Sequence, residues 1–171
     1  LKRGYSAWTN PFNGVRSFVS YEKTRLIVFW SKNPRHLLDE DGCLDYLQTK
    51  KINCYVQFTL NDYVREGLER GVPAVDERIG TFKALVDRLG FGRVIWRFDP
   101  LILTNEISIE DLLAKIEYIG DRLKGYTEKL VFSYADIKSY KKVHNNLIKN
   151  NVHYREFSES DMNNFAARLA A

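Results

Sequence analysis

The sequence predicts an α/β fold, a partial or incomplete TIM-like (β/α) barrel with parallel strands inside and helices outside. Three observations carry the prediction. Short runs rich in β-branched and aromatic residues alternate with helical stretches, the pattern of a parallel sheet with right-handed crossovers. The runs start near residues 26, 55, 94 and 130, so each βα unit takes roughly 30 to 40 residues, as such units do. The glycine-rich turn of a dinucleotide-binding sheet is missing after them: SKNP, NDY, DPLIL and YADI stand there instead.

Each element has a local reason. GYSAWTNPFNGVRSFVSY holds two extended runs around Asn10, Pro11, Asn13 and Gly14, and reads as a β-hairpin or a long loop. Leu26 to Trp30 (LIVFW) is a strand, followed by a helix from about Pro34 to Lys50. A second strand, Tyr55 to Leu60, precedes the loop NDYVREGLERGVP. The helix Val75 to Leu89 has Leu85, Val86 and Leu89 on its apolar side and Gly90 as its stop. Strand Val94 to Phe98 leads to a helix over Ser108 to Leu123, where Ser108 and Asp111 resemble a capping box with Asp in place of Glu. Strand Leu130 to Tyr134 leads to a helix over Ile137 to Asn150. A short strand, His153 to Phe157, comes before a last helix begun at Ser158. The expected organisation is one domain, with residues 1–22 as hairpin or loop and 23–171 as βα repeats. Four or five such units fall short of eight, and complete barrels usually need about 250 residues. The barrel is therefore expected to be partial, or the chain to be an excerpt of a longer one.

Composition narrows the class. With 44% hydrophobic and 28% charged residues the chain reads as an ordinary globular protein. No apolar run approaches the ~20 residues that span a bilayer, and the start lacks the apolar centre of a secretory signal, so a cytoplasmic protein is expected. The net charge of +4, with Lys and Arg spread along the chain, permits an anionic ligand without arguing strongly for nucleic acid. Cys43 and Cys54 are the only cysteines, and His36, His144 and His153 show no ligand spacing, so no metal site is expected from this chain alone. Cys54 reads as a buried small apolar residue.

The chemistry gathers at the strand ends. Alternation puts Ile95, Arg97 and Asp99 on one face of their strand and Val94, Trp96 and Phe98 on the other. The bulky apolar set should pack under helices and leave Arg97 and Asp99 facing inward. Gln57 and Thr59 share a face of the preceding strand, Lys32 and Asn33 follow LIVFW, and Ser133 and Asp136 close LVFSYAD. In α/β proteins the carboxyl ends of strands are where sites are built. Lys32, Asn33, Gln57, Thr59, Arg97, Asp99, Ser133 and Asp136 are thus the candidate substrate-binding residues, with no catalytic residue assigned. Arg97 and Asp99 can equally satisfy each other as an internal pair. Lys32 and Asn33 can simply shape a turn, and Gln57 and Thr59 can bond to neighbouring strands. Trp30 and Trp96 read as core, Trp8 and Phe12 lie in a turn-rich segment, and His144 and His153 read as surface. Glu69, Asp76 and Glu77 read as solvated loop and helix-start charges.

WTNPFN (8–13), VFWSKNP (28–34), YVQFTLNDY (55–63), VPAVDERIGTF (72–82), RVIWRFDPLIL (93–103) and YTEKLVFSYAD (126–136) occur in this order. Together they resemble the bacterial family catalogued as domain of unknown function 1848, over nearly the whole chain. The resemblance implies a barrel-like α/β fold. It also implies a longer protein, with an earlier strand carrying a Ser-Arg-Arg-Thr-Asp run and a terminal cysteine cluster similar to an iron–sulfur site of radical-SAM type. An iron–sulfur cluster and S-adenosylmethionine would then be cofactors of the full-length protein, with none held by this chain. No catalytic residue carries over. Two function classes follow. One is an enzyme domain that binds a polar or anionic small molecule at its strand ends; the other is a non-catalytic binding module, for nucleic acid, using the basic surface and the Trp8–Phe12 loop.

Overall fold

The computed structural model describes residues 2–170 of the chain. Strands β1 (Tyr5–Thr9) and β2 (Arg16–Ser20) pair antiparallel as a hairpin. The turn is held by its asparagines: Asn10 Oδ1 accepts from the Phe12 amide at 2.8 Å and Asn13 Oδ1 from the Val15 amide at 3.0 Å. The chain then runs through β3 (Leu26–Ser31), α1 (Cys43–Thr49), β4 (Asn53–Thr59), α2 (Val75–Leu89), β5 (Val94–Leu101), β6 (Leu103–Thr104), α3 (Ile109–Leu123), β7 (Leu130–Tyr134), α4 (Lys141–Lys149), β8 (Tyr154–Arg155) and α5 (Glu159–Ala170). Four of the strands form a parallel sheet in the order β3-β4-β5-β7, which is their sequence order. The sheet is flanked by helices, as expected of an α/β protein built from βα units.

Register separates the two faces of that sheet. Ile27 and Phe29 of β3, Cys54, Val56 and Phe58 of β4, Val94, Trp96 and Phe98 of β5, and Leu130 and Phe132 of β7 line up on one face. This is the core face, where Phe58 stacks on Phe82 of α2 and Phe132 meets Phe165 of α5 edge-on. The Trp96 indole finds its acceptor at the Leu60 carbonyl, 3.0 Å away, so even the polar atom of this buried ring is satisfied. The other face carries Leu26, Val28 and Trp30, then Tyr55, Gln57 and Thr59, then Ile95 and Arg97, then Val131 and Ser133. Leu26, Val28 and Trp30 are exposed there, Trp30 to 65%. Trp30 is thus no core residue, because its strand lies at the sheet edge and it points away from the helices.

Helix boundaries agree with the local signals except in two places. One is α4, which begins at Lys141 and not at Ile137 because residues 137–139 form a turn. α2 and the cap of α3 stand where expected, and Ser108 and Asp111 exchange both capping hydrogen bonds. The single helix expected over Pro34 to Lys50 is instead a 3₁₀ turn, Arg35–Leu38, and the shorter α1. Asp39 is extended and Asp41 has φ 51°, so the chain turns sharply before Gly42. A Cβ at Gly42 would lie 2.5 Å from the Asp39 carbonyl oxygen, a turn that only glycine permits. The last short strand also differs from a sheet extension: β8 pairs antiparallel with β6, outside the parallel sheet.

Candidate functional site

The carboxyl ends of β3, β4, β5 and β7 carry a connected set of polar side chains. Arg97 on β5 donates from Nε (3.1 Å) and Nη2 (2.5 Å) to Asp99 Oδ2, and from Nη1 to Gln57 Oε1 of β4 at 3.3 Å. Its guanidinium also lies over the Trp30 ring, 4.5 Å from the centroid, and the Trp30 indole donates to Thr59 Oγ1 at 3.1 Å. Ser133 on β7 donates to the second oxygen of Asp99. One ion pair therefore ties all four parallel strands together. Both partners keep 16% of their side-chain surface in contact with solvent, so the pair is half-buried and not sealed.

Behind this layer lies a more deeply buried one, supplied by the loop after β4. Asn61 uses its side chain as if it were one more residue of the ladder. Its Oδ1 accepts from the Asp99 amide at 2.8 Å and its Nδ2 donates to the Asp99 carbonyl at 3.2 Å. Nδ2 also donates to Glu69 Oε1 at 3.3 Å, and Lys32 Nζ at the end of β3 reaches the same oxygen at 2.6 Å. Arg78, 1% exposed on α2, donates to the Asn61 carbonyl at 2.8 Å and faces Glu69 Oε2 at 3.6 Å. Arg78 Nε, Arg78 Nη1 and Glu69 Oε2 are buried without a hydrogen-bond partner among the described residues. Burial lowers the Arg78 guanidinium from its ordinary value, and the Glu69 carboxylate opposes that fall. Tyr63 completes the clamp: its hydroxyl donates to the Pro100 carbonyl at 2.9 Å and accepts from the Ile102 amide at 3.2 Å. Burial raises the Tyr63 phenol well above its ordinary value, so it stays protonated and a donor.

A cavity of about 410 Å³ opens beside the Arg97–Asp99 pair, lined by Asp99, Ser133 and Asp136 with Ile102, Tyr140 and Val143 as apolar wall. A larger hollow of about 720 Å³, lined in part by Trp96, Ile116 and Leu169, lies on the helix side and holds none of the predicted polar residues. The size of a hollow is thus a poor guide to the chemistry here.

The structure brings Gln57, Arg97, Asp99 and Ser133 into one hydrogen-bonded group; Thr59 is tied to it only through the Trp30 ring, and Lys32 through Glu69 and Asn61. Asp136 lines the cavity, and its Oδ1 accepts from the Ser139 amide at 3.2 Å in the turn before α4. Asn33 stands apart: exposed, its amide donates to Ser31 Oγ at 3.0 Å and its Oδ1 accepts from the Arg35 amide at 3.4 Å, both turn contacts. Glu69 is the main correction to the sequence reading, since it is buried at the centre of the network and not a solvated loop charge. His144 likewise packs against Tyr154, with Nδ1 2.7 Å from the phenol oxygen. Two signals in the sequence could have found the buried layer. The loop after β4 is long for a compact domain, and such loops are usually functional. Arg78 falls on the apolar stripe of α2 with Phe82 and Leu85, where a charge needs a buried partner.

The family model for "Domain of unknown function (DUF1848)" matches residues 1–171. The chain belongs to that family. No curated protein matches the sequence. Among solved structures, the chain is similar to an endocellulase from Pyrococcus horikoshii in complex with cellotetraose, at 15% identity and a TM-score of 0.37. That match covers 75% of this chain and 41% of the endocellulase. A likeness so distant places no substrate in the present chain. Among the described residues, no helix is long and apolar enough to cross a membrane.

Proposed function

We propose that this chain is the ligand-binding part of an enzyme, a partial (β/α) barrel that takes a small polar or anionic substrate at the carboxyl ends of its parallel strands. The observation that supports this best is the Arg97–Asp99 pair, which groups from all four strands hold and whose Asp99 lines a cavity. A merely structural ion pair needs no cavity, and a merely structural cavity needs no such convergence. Counted with Asp136 of the cavity wall, the site sets three cations, Lys32, Arg78 and Arg97, against three carboxylates, Glu69, Asp99 and Asp136. What suits an incoming carboxylate or phosphate is the placement of the cations that touch solvent, not a net charge. Arg78 is out of reach, so the groups that meet such a ligand are the half-exposed Lys32 ammonium and the Arg97 fork. The Ser133 hydroxyl and Asp136 would hold its hydroxyl or amine groups on the cavity side.

The residues present do not fit an iron–sulfur cluster, which is held by several cysteine thiolates. Cys54 is buried on the helix-covered face of β4, Cys43 begins α1, and burial raises both thiols from their ordinary value.

Thermal melting against a panel of small carboxylates, phosphates, amines and polyols tests the reading. At least one anionic compound should raise the melting temperature of the native chain by several degrees. A ligand at about 100 times its Kd adds about 2.7 kcal/mol, and each kcal/mol moves a domain of this size by about 2–4 °C. Arg97→Met should abolish that rise while far-UV circular dichroism stays unchanged. Equal responses from native chain and variant would overturn the proposal.

A further inference from the structure

We infer that the β1–β2 hairpin and its root form a binding surface for single-stranded nucleic acid, separate from the strand-end site. The first observation is charge. Residues 1–25 contain Lys2, Arg3, Arg16, Lys23 and Arg25 against the single acid Glu22, a net of +4 that equals the charge of the whole chain. Everything after residue 25 is therefore electrically balanced, with 21 cations and 21 acids. A second local excess lies at 129–155, six cations against the single acid Asp136, but there Lys138 and Arg155 are ion-paired with Glu156 and Asp161. All five are exposed, and among the described residues none of them is in an ion pair.

The second observation is where the aromatic rings stand. Register puts Tyr5, Phe18 and Arg16 on one face of the hairpin and Trp8 and Val19 on the other. The Arg16 guanidinium lies 5.3 Å from the centroid of Phe18, and Tyr5 meets the same ring edge-on at 5.7 Å. Tyr5, Trp8, Phe18 and Val19 are all exposed, and Phe12 at the turn is 96% exposed. An isolated two-stranded hairpin with bare rings on both faces gains nothing from folding this way unless something stacks on them. Bases do: rings interleaved with Lys and Arg are the arrangement that holds a single strand without reading its sequence.

The third observation is the root. A cavity of about 360 Å³ lies there, lined by Gly4, Tyr21, Arg25, Tyr46 and Lys50 among others, and the Lys50 ammonium lies 6.0 Å from the centre of the Tyr46 ring. The cation-and-ring pattern of the hairpin thus continues onto α1. This distribution favours a nucleic acid strand over an anionic bilayer. Insertion of the Phe12 turn would call for cations gathered at the turn, yet Lys2, Arg3, Lys23 and Arg25 stand at the root and only Arg16 lies next to the turn. A strand laid along the hairpin meets all of them in succession.

Fluorescence anisotropy with labelled oligothymidylate and oligouridylate of about 12 nucleotides tests this on the full chain. Binding should weaken as salt rises, with a log–log slope of about −0.7 for each phosphate neutralised. The double substitution Trp8→Ser with Phe18→Ser should weaken binding at least about tenfold, as expected for the loss of base stacking. Arg16→Glu should also weaken it, while Lys142→Glu on α4, an equal change in charge, should leave it nearly unchanged. Circular dichroism should show the fold intact, since the substituted side chains are exposed. The inference is overturned by absence of binding, or by equal losses from Arg16→Glu and Lys142→Glu. Binding to phosphatidylserine vesicles but not to the oligonucleotides would also overturn it. The strand-end proposal stands or falls separately, because none of these residues belongs to that network.

Discussion

The two faces of the parallel sheet are made from the same strands, residue by alternate residue, and they have opposite chemistry. One is lined by Val56, Phe58, Val94, Trp96 and Phe98, all buried under helices. The other begins with exposed apolar residues on β3 and ends in the Gln57–Arg97–Asp99–Ser133 group. The difference teaches where stability and function have been placed. A face packed by helices on rings and branched side chains can contribute hydrophobic energy, at about 25 cal/mol per Å² removed from water. A face that keeps water and charge contributes little to that sum and is free to carry a ligand.

The largest expected effect is on the covered face. Trp96→Ala should destabilise the protein by about 3–5 kcal/mol, because it leaves a void under α3 and removes the hydrogen bond to Leu60. Val28→Ala, on the open face of the edge strand, should stay within about 0.5 kcal/mol, as surface changes usually do. Urea titration of both variants measures the contrast directly. Similar losses from the two would mean that the open face is packed against something in solution.

The buried layer behind the site should behave like core despite its charges. Glu69→Ala leaves Arg78 buried with no carboxylate and should cost about 3–5 kcal/mol, the penalty for breaking a buried pair. Glu69→Ala combined with Arg78→Met removes both charges and should recover a good part of that loss. A double variant no more stable than the single one would show that Arg78 is held by its bond to Asn61 and not by charge.

Arg97→Met belongs to the outer layer and should cost less, about 1.5–3 kcal/mol, because the group gives up charged hydrogen bonds but stays in partial contact with water. A loss as severe as that of Trp96→Ala would make the Arg97–Asp99 pair a structural strut, and the site proposal would fail at its centre.

The contrast between the faces also explains how much could be read from the sequence. Period-two alternation in YVQFTL and VIWRF set the faces correctly, and α2 and β7 have their expected ends. These features depend on neighbours in sequence. The features that went unread depend on neighbours in space. Glu69 lies in a loop whose composition looks solvated, and only Asn61 at the head of that loop, with Lys32 and Arg78 from two other segments, shows why it is buried. β5 continues past Phe98 to Leu101, through the cis Asp99–Pro100 bond, because β7 pairs with it there. Trp30 is exposed although its strand is as apolar as any, since nothing local marks a strand as an edge.

The smallest effect concerns the acid limb of stability, at the start of α5 on the covered side. Ser158 and Asp161 form a reciprocal cap: the Ser158 amide donates to Asp161 Oδ2 at 3.0 Å and the Asp161 amide donates to Ser158 Oγ at 3.1 Å. Arg155 adds a hydrogen bond to the same carboxylate at 2.6 Å. The Arg155 guanidinium and the Ser158 donors together push the Asp161 carboxyl down from its ordinary 3.8 to about 2. The folded pKa lies below the unfolded one, so the contribution is fully present above pH ~4 and is lost as pH falls towards ~2. The cap fixes the entry to a helix whose Phe165 packs into the ring cluster of Phe132, Tyr134 and Phe157. Protonating one half-buried carboxylate at a helix end should therefore be felt as loosening of α5 rather than global unfolding. Urea midpoints at pH 5 and pH 2.5 should differ more for the native chain than for Asp161→Asn, which has no charge to lose, with near-UV circular dichroism following the rings. An acid dependence unchanged by Asp161→Asn would assign that limb to other carboxylates, and the cap to geometry alone.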